Sequence, residues 1–249
     1  MTNNFFVLTF ILFSVIALLY SSIGHAGASG YLAIMALLSF APDSIKPTSL
    51  ILNIVVASIA SYKFINESYF DKNIFFSFII TALPMAFIGG YVAIPPKYFK
   101  LIAGIFLIIS AIILFVKEFI KTEKNTTQSL PLIWKLSLGA IIGFVSGLIG
   151  VGGGIFLTPI LILTNQTSLK KASGISALFI LCNSIAGLVG HVTAFNKIDS
   201  NIFYWIIAVI FGGLIGSYLG TKIFNNKIII GCLFLILISA GLKFLIIDF

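Results

Sequence analysis

G-H-A-G-A-S-G at residues 24–30 and G-V-G-G-G at residues 150–154 each interrupt a long apolar run. The two breaks stand about half a chain apart. Backbone that leaves the helical hydrogen-bond ladder is costly at bilayer depth. It persists there where it lines a cavity or is buried in protein. Two such breaks at matching places in two halves mark a transport site.

The runs around them are those of a membrane protein. The chain has 249 residues, 59% of them hydrophobic and 9% charged, where soluble domains carry about 25% charged residues. Most apolar runs approach the length that crosses a bilayer. The segment before the first break does not read as a signal peptide, because Met1 to Asn4 carry no basic residue. The net charge of +8 comes from fifteen lysines. These fall in short loops and at segment ends, so they set topology and meet lipid head groups rather than nucleic acid. Cys182 and Cys232 lie inside apolar runs without CxxC spacing and read as buried small hydrophobes. The sequence calls for no metal and no cofactor.

A polar stretch, K-E-F-I-K-T-E-K-N-T-T-Q at 117–128, divides the chain. Residues 1–120 form one repeat: a broken element at 5–40, then helices at 47–64, 74–94 and 99–119. Residues 121–131 are a polar cytoplasmic linker. Residues 132–249 form the second repeat: a broken element at 132–164, then helices at 172–191, 202–224 and 228–247. Five blocks align between the halves. Residues 24–28 match 150–154, and S-I-K-P-T-S at 44–49 matches S-L-K-K-A-S at 168–173. D-K-N-I-F-F at 71–76 matches D-S-N-I-F-Y at 199–204. F-I-G-G-Y at 87–91 matches L-I-G-S-Y at 214–218, and I-S-A at 109–111 matches I-S-A at 238–240. A steady offset across five blocks is the signature of duplication.

The lysines choose between two topologies. If each broken element crosses the membrane once, the loop lysines divide evenly and give no orientation. If each enters and returns, Lys63, Lys72, Lys117, Lys121, Lys124, Lys135, Lys170, Lys171, Lys222 and Lys227 share one side. Lys46, Lys97, Lys100, Lys197 and Lys243 then share the other. The positive-inside rule prefers this ten-to-five split. Both termini then face outward, and the halves are inverted relative to one another. The expected fold is an all-α polytopic membrane protein of two inverted repeats. Each repeat is a broken or re-entrant helix pair plus three transmembrane helices.

A helix that begins inside the membrane presents unpaired N–H groups and a positive dipole end, which together suit an anion. Gly24, Gly27, Ser29 and Gly30 at the first break, and Gly150, Gly152, Gly153 and Gly154 at the second, are therefore the candidate substrate-binding backbone. The alternative role of these glycines is close helix packing. Thr48 and Ser49 open one following helix and Ser173, with Ser176, opens its counterpart. Asn53 and Asn183 lie deeper in the same two helices, where they can complete an oxyanion shell or bond helix to helix. His25 sits within the first break, matched only by Val151, and is placed to bind the anion or carry a coupled proton. His191 ends an apolar run, as an interfacial residue does. Lys46 and Lys170 start equivalent helices, where they draw in anions or simply set topology. All seven carboxylates, from Asp43 to Asp248, fall in loops or at segment ends. A cation carrier keeps an acid at depth, so an anionic substrate fits better. No catalytic constellation is present, so no enzyme is expected.

I-G-H-A-G-A-S-G-Y, then P-T-S-L with Asn53, then G-L-I-G-V-G-G-G-I-F-L-T-P-I-L with K-A-S-G-I-S, resembles the sulfite exporter TauE/SafE family of small bacterial permeases. The resemblance covers nearly the whole chain. Its most specific part is G-V-G-G-G-x-x-x-T-P at 150–159. The first half departs from it, with alanine at Ala26 and Ala28. The resemblance implies a multi-pass protein of the bacterial cytoplasmic membrane that moves sulfite, sulfoacetate or a similar sulfur oxyanion or organosulfonate. Together these readings give a secondary transporter of a small anion working by alternating access. An anion channel and a non-transporting assembly subunit packed through its glycines are the alternatives. The oligomeric state, a homo-oligomer included, stays open.

Overall fold

The computed structural model describes residues 3–22, 25–119, 130–195, 202–220 and 226–246. The described residues form ten helices: α1 Asn3–Ser22, α2 Ala28–Leu37, α3 Pro42–Asn66, α4 Lys72–Tyr91, α5 Pro96–Phe119, α6 Leu132–Ile149, α7 Gly154–Leu163, α8 Leu169–Phe195, α9 Ile202–Gly220 and α10 Asn226–Ile246. Five stretches are long and apolar enough to cross a bilayer: Asp43–Asn66, Lys72–Tyr91, Pro96–Ile113, Leu132–Ile149 and Lys170–Phe195. Large apolar side chains such as Ile11, Phe76, Ile80, Ile109 and Phe211 stay exposed, as a lipid-facing surface requires. The chain is an all-α membrane protein.

Local chemistry sets the helix ends. Asp71 caps α4, accepting from the backbone N–H of Ile74 at 3.1 Å. Gly150 ends α6 in the left-handed conformation, φ 92°, and glycine reaches that conformation without a Cβ penalty. Three lysines satisfy carbonyls that helix ends leave open. Lys46 donates to the Gly89 and Gly90 carbonyls at the end of α4, at 3.1 and 2.8 Å. Lys63 donates to the Ser217 carbonyl near the end of α9 at 2.7 Å. Lys243 donates to the Leu37 carbonyl at the end of α2 at 2.7 Å.

Contacts between distant residues fix the directions of the helices. At one end of the molecule Phe5 meets Phe40 at 5.9 Å between ring centroids. Deeper in, Phe13 meets Tyr31 at 5.9 Å. So α1 runs inward and α2 runs back to the end where α1 began, as a hairpin. The end of α10 lies here too, through Lys243. This is the terminal end; the opposite one, where α5 finishes and α6 starts, is the linker end.

The second pair, α6 and α7, opens from the linker end. α6 runs parallel to α4, glycine against backbone: Gly139 abuts the Phe78 carbonyl, Gly143 that of Ala82, and Gly147 that of Ala86. The start of α4 and the end of α7 share one cluster, with Phe75, Phe78, Leu161 and Ala172. The α1–α9 contact is built the same way. Gly212 abuts the Ser14 carbonyl and Gly216 that of Leu18. Small residues let such helices touch backbone to backbone.

Two pairs of helices in corresponding places, α3 with α8 and α5 with α10, meet each other, and they pair antiparallel. Along α3 and α8, Lys46 and His191 line one cavity and Leu50 touches Gly187. Asn53 then bonds Ser184, and Phe64 touches Gly174. Along α5 and α10, Phe99 meets Phe244 and Phe115 meets Phe234.

Candidate functional site

The two breaks share a backbone design. The N–H of His25 donates to the Tyr20 carbonyl at 2.9 Å, and that of Val151 to the Ser146 carbonyl at 3.0 Å. Each short helix has a left-handed glycine at its N-cap: Gly27, φ 97°, before α2 and Gly153, φ 80°, before α7. Each short helix has ten residues. Each ends on a left-handed non-glycine residue, Ser39 at φ 56° and Asn165 at φ 51°. The flanking bonds match as well. Leu38, Ser39 and Phe40 donate to Ile34, Ala36 and Met35, as Thr164, Asn165 and Gln166 donate to Ile160, Ile162 and Leu161. Every one of these pairs is 126 residues apart. His25 therefore occupies the place of Val151, as the sequence suggests.

What fills the breaks differs. Around the first, the Tyr20 hydroxyl and Ser29 Oγ bond at 2.7 Å. The Tyr31 ring lies against Gly27, where an added Cβ would sit 2.9 Å from its hydroxyl. Gly30 lets the Ile16 and Tyr20 side chains pass. His25, Ser29, Tyr20 and Tyr31 are all buried. Gly24 lies outside the described residues.

The second break is bare backbone. Gly150, Gly152 and Gly153 all hold positive φ, at 92°, 71° and 80°. Polar groups from neighbouring helices close over it. A Cβ on Gly152 would collide with Asn53 Nδ2 and would stand 2.8 Å from Ser184 Oγ. Those two atoms bond one another at 2.8 Å. Gly153 faces Ile142, Phe179 and Ser146.

α3 touches both breaks. Its Lys46 backbone abuts Gly150, its Ser49 Oγ donates to the Ala28 carbonyl at 3.2 Å, and its Asn53 covers Gly152. Thr48 lies within this stretch, fully buried. Asn183 stands three residues from Ile180 and four from Phe179. Both of these pack on the second break, so Asn183 shares their face of α8.

Several polar atoms here have no hydrogen-bond partner: Tyr31 Oη at the first break, and Thr48 Oγ1, Asn53 Oδ1, Ser146 Oγ and both amide atoms of Asn183. Buried polar groups are ordinarily bonded, and each orphan costs on the order of 1–3 kcal/mol. These atoms gather around breaks whose backbone is itself buried.

The register of the repeat needs one correction. The sequence pairs Ser49 with Ser173. In the structure the serine that reaches the second break is Ser176. Thr158 Oγ1 donates to its Oγ at 2.8 Å and to the Gly154 carbonyl at 3.1 Å. Ser173 lies three residues earlier, beside Gly174, whose Cα abuts the Tyr69 carbonyl. The shift is three residues, nearly one helical turn: the pairing of Ser49 with Ser173 runs at an offset of 124 against 126 at the breaks, and the link at 164–168 is one residue longer than that at 38–41. Ser146 and Ser184 escaped the sequence reading. Ser146 aligns with Tyr20 and carries no repeat signal, and Ser184 meets Asn53 only through the α3–α8 pairing.

Among the described residues no group of three or more His, Cys, Asp or Glu is placed to hold a metal ion. The family model described as sulfite exporter TauE/SafE matches residues 9–244. A protein of Sinorhizobium fredii described as the probable membrane transporter protein y4hK is 36% identical over 237 residues, 94% of this chain and 96% of its own length. The probable membrane transporter protein YunE of Bacillus subtilis is 24% identical, again over 94% of this chain and 96% of its own. YdhB of the same organism, also described as a probable membrane transporter protein, is 24% identical over 85% of this chain and 87% of its own. No solved structure matches the chain.

Proposed function

The chain belongs to the sulfite exporter TauE/SafE family and is a multi-pass membrane transporter; we propose that its cargo is a small anion, a sulfur oxyanion or organosulfonate such as sulfite or sulfoacetate. The observation that carries this reading is the second break. Three left-handed glycines lie between α6 and α7, beside a set of buried polar atoms without partners. An anion held there takes N–H groups at the helix N-terminus. It completes the shell with the Asn183 amide, the Thr48 and Ser146 hydroxyls, and Asn53 once its amide turns from Ser184. The sulfur chemistry rests on the family description alone.

The cycle we propose is alternating access. The repeats, residues 1–120 and 132–249 about the linker at 121–131, are inverted across the cytoplasmic membrane, with the linker inside. The antiparallel pairing of α3 with α8 and of α5 with α10 supports this, as does the opening of the two hairpins from opposite ends. Anion entry breaks the Asn53–Ser184 bond, which otherwise ties α3 to α8 across the second break. A shift of one repeat against the other then changes the open side.

The test is a thermal-shift screen of the purified protein against sulfite, sulfate, thiosulfate, methanesulfonate, sulfoacetate and acetate. Uptake of the best binder into proteoliposomes is then measured. A ligand that binds the folded state raises its melting temperature by mass action. We expect a sulfur anion to give the largest rise and to be taken up. A flat response to every anion sinks the reading.

A further inference from the structure

A cavity lies at the terminal end, between the starts of α3 and α5, the segment after α4, and the ends of α6 and α8. It encloses about 220 Å³, and its wall includes Asp43, Lys46, Phe99, Leu148, His191 and Phe195. It is not the glycine break. Lys46 stands seven residues before Asn53, or about 10 Å along α3 at 1.5 Å per residue. The two sites are nonetheless joined, since the Lys46 backbone abuts Gly150 and Leu148 lies in the last turn of α6, which leads into Gly150.

Two cationic or proton-bearing groups meet in this wall. Lys46 is 7% exposed, and its ammonium spends two of three donors on the Gly90 and Gly89 carbonyls, at 2.8 and 3.1 Å. His191 is 6% exposed, and neither Nδ1 nor Nε2 has a hydrogen-bond partner. Its ring rests on Phe195, with centroids 4.9 Å apart. A buried imidazole with both nitrogens unbonded is a costly arrangement. A ligand in the cavity relieves it. Asp43 is exposed at the rim, where water screens its charge. Phe99, Leu148 and Phe195 make the rest of the wall apolar.

We infer that this cavity is a docking site for a small monoanion with an apolar part, an organosulfonate or carboxylate, held between the Lys46 ammonium and a ring N–H of His191. The inference rests on the transporter reading and narrows its substrate class. The apolar wall favours an organic anion over sulfate, which sheds its water at greater cost. The anion docks at the terminal end and moves along α3 to the second break.

The test uses the full chain with Cys182 and Cys232 replaced by serine and Ala93→Cys added, Ala93 being exposed on the same cavity wall. Labelling by a membrane-impermeant maleimide is followed in phosphatidylcholine vesicles, with methanesulfonate as the protecting anion. We expect methanesulfonate to slow labelling, and His191→Phe to raise the half-protecting concentration about tenfold, as loss of one charge-assisted bond does. His191→Phe keeps the stacking on Phe195 and breaks no existing hydrogen bond. Lys46→Met should have a similar effect on protection. Asn53→Ala, at the break, should slow uptake and leave protection intact.

Protection unchanged by both His191→Phe and Lys46→Met overturns the inference, and so does protection that vanishes with Asn53→Ala alone. Labelling already slow in vesicles containing phosphatidylglycerol, without methanesulfonate, assigns the cavity to a lipid head group and also overturns it. No protection alongside normal uptake overturns the docking site and spares the transporter reading. Absence of both sinks the two together.

Discussion

The two breaks have one backbone and two fillings. At the first, tyrosine rings occupy the space beside the left-handed glycine, and the Tyr20–Ser29 bond closes it. At the second, Tyr20 is replaced by Ser146 and Tyr31 by Leu157. Ala26 gives way to Gly152, and side chains from both halves lean over bare peptide. The two frames match bond for bond at an offset of 126 residues, and their side chains differ. The first break is filled by its own aromatic side chains, and the second is the one we propose receives the ligand.

That division can be broken by experiment. The largest effect is expected from Gly153→Leu, which forces a side chain into the left-handed N-cap against Ile142 and Phe179. Uptake should fall to background while the protein still inserts and purifies; normal uptake would remove the second break from the transport path. Next comes a matched exchange. Gly152→Ala must hold φ 71° and collides with Asn53, a strain of about 1–2 kcal/mol before the clash. Initial uptake should drop about tenfold. Ala26→Gly, at the equivalent place, should change uptake little, and equal losses at both would erase the asymmetry. The smallest effect belongs to Tyr20→Phe. It removes one buried hydrogen bond worth about 1 kcal/mol, so the melting temperature should fall by a few degrees with uptake near normal. A transport defect larger than the stability loss would make the first break a second ligand site.

Much of the architecture could be read from the chain, because long apolar runs announce membrane helices and glycines announce where they break. Glycines 126 residues apart marked the two breaks that the short helices α2 and α7 follow. The site was legible only in its backbone. Asn53 reads as polar at depth, yet nothing near it in sequence announces Ser184, 131 residues away. Ser173 and Ser176 stand one turn apart on one helical face, so only the bond from Thr158 tells which of them reaches the second break. Lys46 carries two roles at once: it closes the end of α4 and lines a cavity. Only the antiparallel partner α8, with His191, reveals the second.

That antiparallel pairing has a consequence for how the protein can be assembled. Through it, α3 and α5 of one half meet α8 and α10 of the other, as helices of two separate chains would. The seam between the halves is thus a dimer interface drawn within a single polypeptide, with the linker as a tether. Residues 1–119 and 130–249 expressed as two separate chains should find one another in the membrane and copurify. Independent behaviour would mean that the tether, and not the seam, holds the halves in register.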